Sequence, residues 1–150
     1  MPIAVVMERR KLANRWQSER WEPVEIVPDA GEAGPRLLVE DSERAQWLHP
    51  GFAIELHRDE AEGYYLNLTT STPYVFVMWR MEDDGLAAPK VVTVSYHEAG
   101  RMMDGGEQVD GVPMPSALMA WVDEFVRTHY QPEPKKQRIR PPSFKGAKRD

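Results

Sequence analysis

The stretch PYVFVMWRM, residues 73–81, constrains the fold of this chain more than any other feature because it is apolar on both faces. Side chains alternate across a β-strand, so consecutive residues point to opposite sides of the sheet. Here one face would carry Tyr74, Phe76 and Met78, and the other would carry Val75, Val77 and Trp79. A strand with two apolar faces belongs in the middle of a sheet that is covered on both sides. The sequence therefore predicts a central strand, ended by the turn residues EDDG.

The most regular helix signal is PSALMAWVDEFVRTHY, residues 115–130. An apolar stripe follows the i, i+3, i+4, i+7 spacing of one helix face, formed by Leu118, Trp121, Val122, Phe125, Val126 and His129. Pro115 or Ser116 is placed to start this helix, and Pro132 to stop it. Because such a stripe has to pack on another element, the open face of a sheet is the expected partner.

Several other stretches show the alternation of half-buried strands, with turn residues between them. Three more strands are predicted in PIAVVMERR (2–10), WEPVEIV (21–27) and RLLVE (36–40), with PDAGEAGP as the loop between the last two. FAIELHR (52–58) and YYLNLTT (64–70) are predicted to form a hairpin with DEAEG as its turn. KVVTVSY (90–96) is predicted as a further strand, with Val92, Val94 and Tyr96 facing inward.

A shorter helix is predicted in SYHEAGRMMDGG, residues 95–106. Ser95 and Glu98 have the spacing of a capping box, and the glycine pair at 105–106 supplies the stop. Gly100 in the middle of the segment lowers its helix propensity. The following VPMP, residues 112–115, is stiff and extended; it suits either a partner's groove or a wrap over the sheet, and the wrap is favoured.

Together these elements predict an α+β fold, a mostly antiparallel sheet or barrel of about seven strands covered by a C-terminal amphipathic helix. The element order resembles that of a pleckstrin-homology-like barrel, and an open sheet or sandwich with one covering helix fits the same pattern. Residues 1–130 are predicted to form a single folded domain, which suits a chain of 150 residues that is 41 % hydrophobic. Residues 131–150 are predicted to form a basic, proline-containing, flexible tail.

Charge separates an acidic body from a basic tail. Residues 131–150 have seven Lys and Arg residues against Glu133 and Asp150, a net charge of +5, whereas residues 1–130 have a net charge of −10. This asymmetry is typical of an interaction arm for an acidic protein face, a nucleic acid or an anionic lipid surface. The alternative is a solubilising tail that folds back on its own acidic body, and the sequence favours neither.

The chain contains no cysteine, so it has no disulfide, no thiolate nucleophile and no cysteine-based metal site. The first residues, MPIAVVMERRKL, include only five consecutive apolar residues, far short of a signal sequence, and no later stretch is long enough to span a membrane. We therefore expect a soluble, cytoplasmic protein.

Few residues are arranged for catalysis or metal binding. The histidines, His49, His57, His97 and His129, form no HxH or HxxxH pair, and the acids of DGGEQVDG do not match an EF-hand loop. The sequence has no nucleotide-binding loop and no nucleophile elbow. We expect no catalytic residue, no metal site and no bound cofactor, and a non-enzymatic protein is favoured over an enzyme.

Five tryptophans are available to line a ligand groove, although core packing is their commoner use. Trp16, Trp21 and Trp47 are the candidates for a ligand contact. Because Trp16 and Trp21 are five residues apart, they would face opposite sides of one regular strand, so a bulge or a break is expected between them.

Three distinctive stretches cover nearly the whole chain: PIAVVMERRKLANRWQSERWEPVEIVPD at the start, VVTVSYHEAGRMMDGGEQVDGVPMP in the centre and FVRTHYQPEPKKQRIRPPSF near the end. Together they resemble a proteobacterial family of proteins with a domain of unknown function, family 3305. Its members are small single-domain proteins, typically encoded beside subunits and accessory factors of molybdenum-dependent formate dehydrogenases. The resemblance implies a role linked to such an enzyme, and it transfers no catalytic residue because none is established in the family.

Two interpretations from different classes follow. In the first, the chain is a non-enzymatic accessory, maturation or assembly protein that binds a formate dehydrogenase subunit or its maturation chaperone. The tail would supply long-range attraction and an apolar anchor, through Lys135, Lys136, Arg138, Arg140 and Phe144. In the second, the chain binds or handles a molybdopterin-type cofactor against Trp16, Trp21 or Trp47. Nucleic-acid binding through the tail is a weaker third interpretation, because the acidic body would repel the same polymer.

Overall fold

A computed structural model describes residues 1–13, 15–28, 31 and 33–131, together with the backbone of residues 144–145 and 147–148. In chain order the elements are β1 (Pro2–Lys11), β2 (Glu19–Pro28), β3 (Arg36–Glu40), β4 (Arg44–Ala53), a 3-10 turn (Arg58–Glu60), α1 (Ala61–Leu68), β5 (Tyr74–Met81), β6 (Ala87–Thr93), α2 (Tyr96–Asp104), β7 (Gln108–Pro113) and α3 (Ser116–His129). Two short strands, β8 (Phe144–Lys145) and β9 (Ala147–Lys148), pair with each other antiparallel.

The seven longer strands form two antiparallel sheets that do not close into a barrel. The first sheet has the order β2-β1-β4-β3, and the second has the order β6-β5-β7. The sheets meet where β2 lies against β7 and where β1 and β4 lie against β6. The predicted α+β class, the antiparallel pairing and the number of strands are confirmed, and of the two architectures left open the structure has the open sheets.

The central strand of the first sheet, β1, is buried on both faces. Ile3, Val5 and Met7 enter the main core, whereas Ala4 and Val6 face the opposite side, and all five are at most 2 % exposed. The strands β2 and β3 lie at opposite edges of this sheet, and β1 and β4 lie between them. The five-residue apolar run of β1 is explained by this central position.

The main core lies between the two sheets and the helices. As predicted, α3 turns its apolar stripe inward, and Leu118, Val122 and Val126 are buried. Phe125 packs edge-on against Tyr64 of α1, with ring centroids 5.8 Å apart. The C-terminal helix therefore covers the sheets, as its periodicity requires.

The predicted second helix is also confirmed, with its capping signals. The Ser95 hydroxyl oxygen accepts a hydrogen bond from the backbone N–H of Glu98 at 3.1 Å, and Gly106 adopts a φ of 87° just after the helix ends. The helix continues through Gly100. Tyr96 was predicted to face inward on a strand, and this is wrong. Because β6 ends at Thr93, Tyr96 is the first residue of α2 and is 53 % exposed.

The hairpin predicted from residues 52–58 and 64–70 is wrong. Residues 61–68 form α1, and β4 ends at Ala53, where the next backbone N–H, of Ile54, donates to the carbonyl of Met1 at 2.9 Å. In α1, Tyr64 and Leu68 are four apart and share a helix face as well as a strand face, so the local pattern fits both structures. Contacts with α2 and α3 select the helix.

Two strands were not predicted from the sequence. The first, β4, contains Pro50 and Gly51, and Gly51 has a φ of 93° at an irregularity in its pairing with β1. The second, β7, pairs with β5 at the edge of the second sheet. The wrap over the sheet favoured for VPMP is wrong, because Val112 and Pro113 belong to this edge strand and pair with Val75 and Tyr74. There Val112 and Met114 are buried, and the Met114 N–H donates to the carbonyl of Pro73 at 2.9 Å.

Candidate functional site

The predicted binding residues of the tail lie outside the described part of the chain. This applies to Lys135, Lys136, Arg138 and Arg140, and to the side chain of Phe144. Their role in binding a partner stays a prediction.

The three candidate tryptophans occupy different surroundings. Trp16 lies in the loop between β1 and β2, which is the expected break, and is 85 % exposed. Trp21 is 8 % exposed and packs against Trp47 with ring centroids 5.3 Å apart, while the Arg9 guanidinium lies over both rings. The buried indole nitrogen of Trp21 has no hydrogen-bond acceptor within the described part of the chain. The structure therefore brings Trp21 and Trp47 together. Of this pair, Trp47 lines the groove described next.

A groove of about 600 Å³ opens between the two sheets, where β3 and β4 face β6. We call it the inter-sheet groove. The first sheet contributes Leu37, Trp47, His49 and Phe52, and the β5–β6 hairpin contributes Leu86 and Lys90. The groove exists because the first sheet has four strands and the second only three, so the side of the first sheet nearest β3 is left uncovered.

Charged groups stand at the rim of the inter-sheet groove. The Lys90 ammonium donates to the Glu82 carboxylate, and Arg36 adds a second cation from β3. Burial, together with the positive charge of Lys90, lowers the pKa of His49, so its imidazole is neutral at pH 7. Aromatic walls with a charged rim suit a flat ring that carries polar substituents.

The outermost strand of the first sheet, β3, offers a different kind of surface, which we call the β3 edge. All five of its residues are exposed, and Leu37, Leu38 and Val39 are 48 %, 45 % and 37 % exposed. Leu37 lies opposite Trp47 on the groove side, whereas Val39 lies opposite Gln46, and a bulge separates them. Apolar side chains therefore stand on both faces of a strand whose outer backbone groups have no strand partner among the described residues.

The turn after β3 holds this edge in place. The Asp41 carboxylate accepts hydrogen bonds from the backbone N–H groups of Glu43 and Arg44, at 2.8 and 2.9 Å. These two backbone bonds favour the ionised carboxylate and lower the pKa of Asp41. The β3 edge is thus joined to β4 by a hydrogen-bonded turn.

A second groove, of about 360 Å³, lies between α2, the end of α1 and the start of β5. We call it the aromatic groove, and its main lining residues are Tyr74, Phe76, Tyr96, Gly100 and Met103. The ring of Phe76 contacts the rings of Tyr74 and Tyr96, with centroids 6.2 and 6.3 Å away. Tyr74, Tyr96 and Met103 are 37 %, 53 % and 50 % exposed, which makes this groove a solvent-facing apolar surface.

A polar cluster joins α1 to α2. The Ser95 hydroxyl donates to Glu60 at 2.6 Å, and the Arg101 guanidinium donates to the other oxygen of the same carboxylate at 2.6 Å. The hydrogen bond from Ser95, and then the bond and charge of Arg101, lower the pKa of Glu60. Because Ser95 is 0 % exposed, its hydroxyl is out of reach of a substrate, and the cluster holds the two helices together.

The histidines are spread over the structure. His97 pairs with Glu62 at 3.0 Å, His57 lies 3.7 Å from Glu55, and the ring of His129 packs on Phe125. Among the described residues, no group of three or more His, Asp or Glu side chains is placed to hold a metal ion. None of the described helices is long and apolar enough to cross a membrane.

The β3 edge and the aromatic groove were both missed as sites at the sequence level. The sequence predicts RLLVE as a strand, but three consecutive apolar residues do not by themselves indicate that the strand lies at an exposed edge. For the aromatic groove the signal was present in residues 73–81, whose face bearing Tyr74 and Phe76 requires cover. Helix α2 supplies only part of that cover.

Comparison with known proteins gives one match. A family model described as "Protein of unknown function (DUF3305)" matches residues 2–139. No curated protein and no solved structure matches the chain. The matched span covers the body from Pro2 onward and continues into the first nine residues of the basic tail, 131–139.

Proposed function

The chain belongs to the DUF3305 family of proteins of unknown function, and we propose that it is a non-enzymatic accessory protein of a molybdenum-dependent formate dehydrogenase in the proteobacterial cytoplasm. Its task is to bind a dehydrogenase subunit, or the maturation chaperone of that enzyme, during assembly. The family resemblance suggests the enzyme, and the surfaces of the folded body suggest the mode of action.

The observation that carries the proposal is the β3 edge. A strand at the edge of a sheet offers a row of unpaired N–H and C=O groups to which an extended segment of another protein can add as a further strand. Here the apolar side chains on both faces, Leu37 and Val39, supply contacts to alternate side chains of that segment. We assign the β3 edge to an extended segment of the partner.

Features of β3 also restrict which partners can pair with it. The strand has only five residues, contains a bulge, and begins and ends with the charged residues Arg36 and Glu40. Short, bulged and charged edges resist indiscriminate sheet association. A partner therefore needs a segment whose side chains match this irregular edge, which favours a specific complex over aggregation.

The basic tail has a separate role in this proposal. Lys135, Lys136, Arg138 and Arg140 attract an acidic face of the partner over a distance and raise the rate of encounter, and Phe144 adds an apolar contact. The β3 edge then provides the short-range contacts that determine the lifetime of the complex.

The test is a binding assay with purified dehydrogenase subunits and with their maturation chaperone, at low ionic strength. The double variant Leu38→Lys, Val39→Lys places charges on the β3 edge, and we expect it to weaken binding by about tenfold or more, because an ammonium group buried without a partner in the complex is strongly unfavourable. The matched control is Met81→Lys, an equally exposed apolar residue on β5 in the other sheet. The proposal fails if the wild-type chain binds none of these proteins, or if the double variant binds like the control.

A second candidate function is binding of a molybdopterin-type cofactor in the inter-sheet groove. The specific observation in its favour is the position of Trp47, which lines this groove beside Phe52, His49 and Lys90. A bound ring system would change the emission of Trp47. Addition of the cofactor or its nucleotide is expected to change the fluorescence of wild type and of Trp16→Phe, but not of Trp47→Phe; an unchanged wild-type spectrum would exclude this candidate.

A further inference from the structure

The outer face of β5 is apolar, yet part of it has no cover in the described structure. Val77 and Val75 fill the core on one side of the strand, while Tyr74 and Phe76 stand on the other side. Helix α2 packs over this second side and leaves the aromatic groove between itself and β5. Exposed apolar surface that is concave and continuous is typical of a binding site.

Gly100 indicates that the groove is kept open. It lies in the interior of α2, where glycine is less favourable than alanine by about 1 kcal/mol. Its backbone is not left-handed, and a Cβ atom at this position would meet nothing within 4 Å. Packing within the described chain therefore gives no reason for a glycine here. The missing side chain instead extends the floor of the aromatic groove, where an occupant can approach the helix backbone.

The end of the described body and the aromatic groove lie on two sides of the C-terminal end of α1. Tyr130 follows α3 and packs against Tyr65 of α1, with ring centroids 4.8 Å apart. On that side Tyr130 shares a surface with Thr69, and the next residue, Thr70, lines the aromatic groove. The basic tail thus starts on one side of the C-terminal end of α1, and the groove lies on the other side.

The composition of the tail fits the chemistry of the groove. Its first residues, QPEPKKQRI (131–139), lie within the family match and include two prolines. Proline-containing segments adopt an extended helix without internal hydrogen bonds and bind in grooves lined by aromatic rings. Asp104, exposed at the end of α2, follows the groove residue Met103, and its carboxylate complements the basic residues of the tail.

We propose that residues 132–139 of this chain bind in the aromatic groove when no partner is present. At about 3.1 Å per residue, an extended segment of this length spans roughly 25 Å. This length is enough to cross α1, since a helix is about 10 Å in diameter, and to reach the rings of Tyr74, Phe76 and Tyr96. The tail is then stored on the acidic helical side of the body, and a partner that attracts it has to displace it from the groove.

The test uses pairs of spin labels in the full-length chain, which has no cysteine of its own. One label is placed through Thr69→Cys at the exposed end of α1, and the other through Gln137→Cys in the tail, and the distance between them is measured by pulsed electron resonance. We expect one narrow distance peak. A broad distribution in the wild-type background would overturn the proposal.

Two further variants separate groove binding from other causes of a narrow peak. Gly100→Leu fills the groove with a residue that favours the helix, so the fold is kept while the distance distribution is expected to broaden. Glu124→Leu on the exposed side of α3 is the matched control and should leave the peak unchanged. If the peak stays narrow in Gly100→Leu, the tail binds elsewhere and the proposal is wrong.

The other test variant, a double substitution, changes the tail instead of the groove. Pro132→Ser together with Pro134→Ser is expected to broaden the same peak and to shift the methyl resonance of Met103 in the groove. An unchanged Met103 resonance would contradict the proposal. These measurements contain no partner protein, so their outcome is independent of whether a dehydrogenase subunit binds the β3 edge.

Discussion

At the scale of single residues, two helical glycines have opposite reasons to be glycine. Gly63 in α1 faces the interior, where a Cβ atom would lie 2.3 Å from the Ser95 hydroxyl oxygen. Gly100 in α2 faces the aromatic groove, where a Cβ atom would meet nothing within 4 Å. The first position is fixed by the packing of α1 against α2, and the second is available to a ligand.

Alanine substitution distinguishes these two cases. Gly63→Ala is expected to lower the free energy of unfolding by about 1 to 3 kcal/mol, because the added methyl group forces Ser95 away from Glu60. Gly100→Ala is the control and is expected to be neutral or to stabilise by up to about 1 kcal/mol. Urea unfolding measures both values. Equal effects of the two substitutions would contradict the described packing.

Glu60 gives the protein an acid-dependent contribution to stability. Its folded pKa is lower than the usual 4.5, first through the Ser95 hydrogen bond and then through Arg101. A group with a lowered folded pKa stabilises fully above its unfolded pKa and loses this contribution as the pH falls through the folded value. The difference in unfolding free energy between wild type and Glu60→Gln should therefore shrink from pH 7 toward pH 3. A difference that stays constant with pH would show that the ionised form is not the one stabilised.

At the scale of elements, a buried amide joins α1 to the second sheet. The Asn67 amide group donates to the carbonyls of Tyr74 and Val94, at 2.7 and 2.9 Å, and its oxygen accepts from the Tyr74 N–H at 3.0 Å. The side chain is 1 % exposed. One residue thus satisfies three backbone groups where β5 begins and β6 ends, which fixes one wall of the aromatic groove.

We expect Asn67→Asp to destabilise the protein by about 3 kcal/mol or more at pH 7. The carboxylate cannot donate to the two carbonyls, and a buried charge is added. Because protonation restores one donor, the loss should be smaller at pH 4 than at pH 7. Thr69→Val, which removes a hydrogen bond at the exposed end of α1, is the control and should change stability by less than about 0.5 kcal/mol. Thermal and urea unfolding at both pH values would measure this.

At the scale of the whole molecule, charge is distributed so that the tail and the body have opposite signs. The body carries a net charge of −10 and the tail +5. Many of the body's charges form pairs between elements, such as Arg80 with Glu107 and Arg9 with Glu40. Exposed pairs of this kind contribute little to stability, so the main consequence of the charge pattern is expected in association.

Salt should therefore slow the association with a partner more than it destabilises the fold. Between 50 and 300 mM salt we expect the association rate with a dehydrogenase subunit or chaperone to fall by about tenfold, since screening removes long-range attraction. Replacing Lys135, Lys136, Arg138 and Arg140 with Gln leaves the tail with a net charge of +1 and should remove most of this salt dependence. Stopped-flow mixing measures the rate, and a salt-independent wild-type rate would remove the assigned role of the tail.

The elements predicted correctly are those with strong local signals. The stripe of α3 repeats over more than two helical turns, so few other structures fit it. The run from Tyr74 to Met81 is continuously apolar, and its short length, its β-branched and aromatic residues and the flanking Pro73 and EDDG turn identify it as a strand. For α1 the same eight residues match both periods, and for β4 the Pro50-Gly51 pair hides a strand. In both cases contacts with residues far along the chain decide between helix and strand. Asn67 of α1 binds the carbonyl of Val94, and β4 pairs with β1.

The sequence alone determined the class of the fold, the covering helix and the separation of charge, because periodicity, capping residues and charge are local properties of the chain. Trp47 as a groove residue was also within reach of sequence reasoning. Only the tertiary structure decided that β3 lies at an edge and that α2 leaves an aromatic groove beside β5. Strand order and partial cover arise from contacts between residues far apart in sequence, and no local pattern encodes which of two equally apolar faces is left exposed.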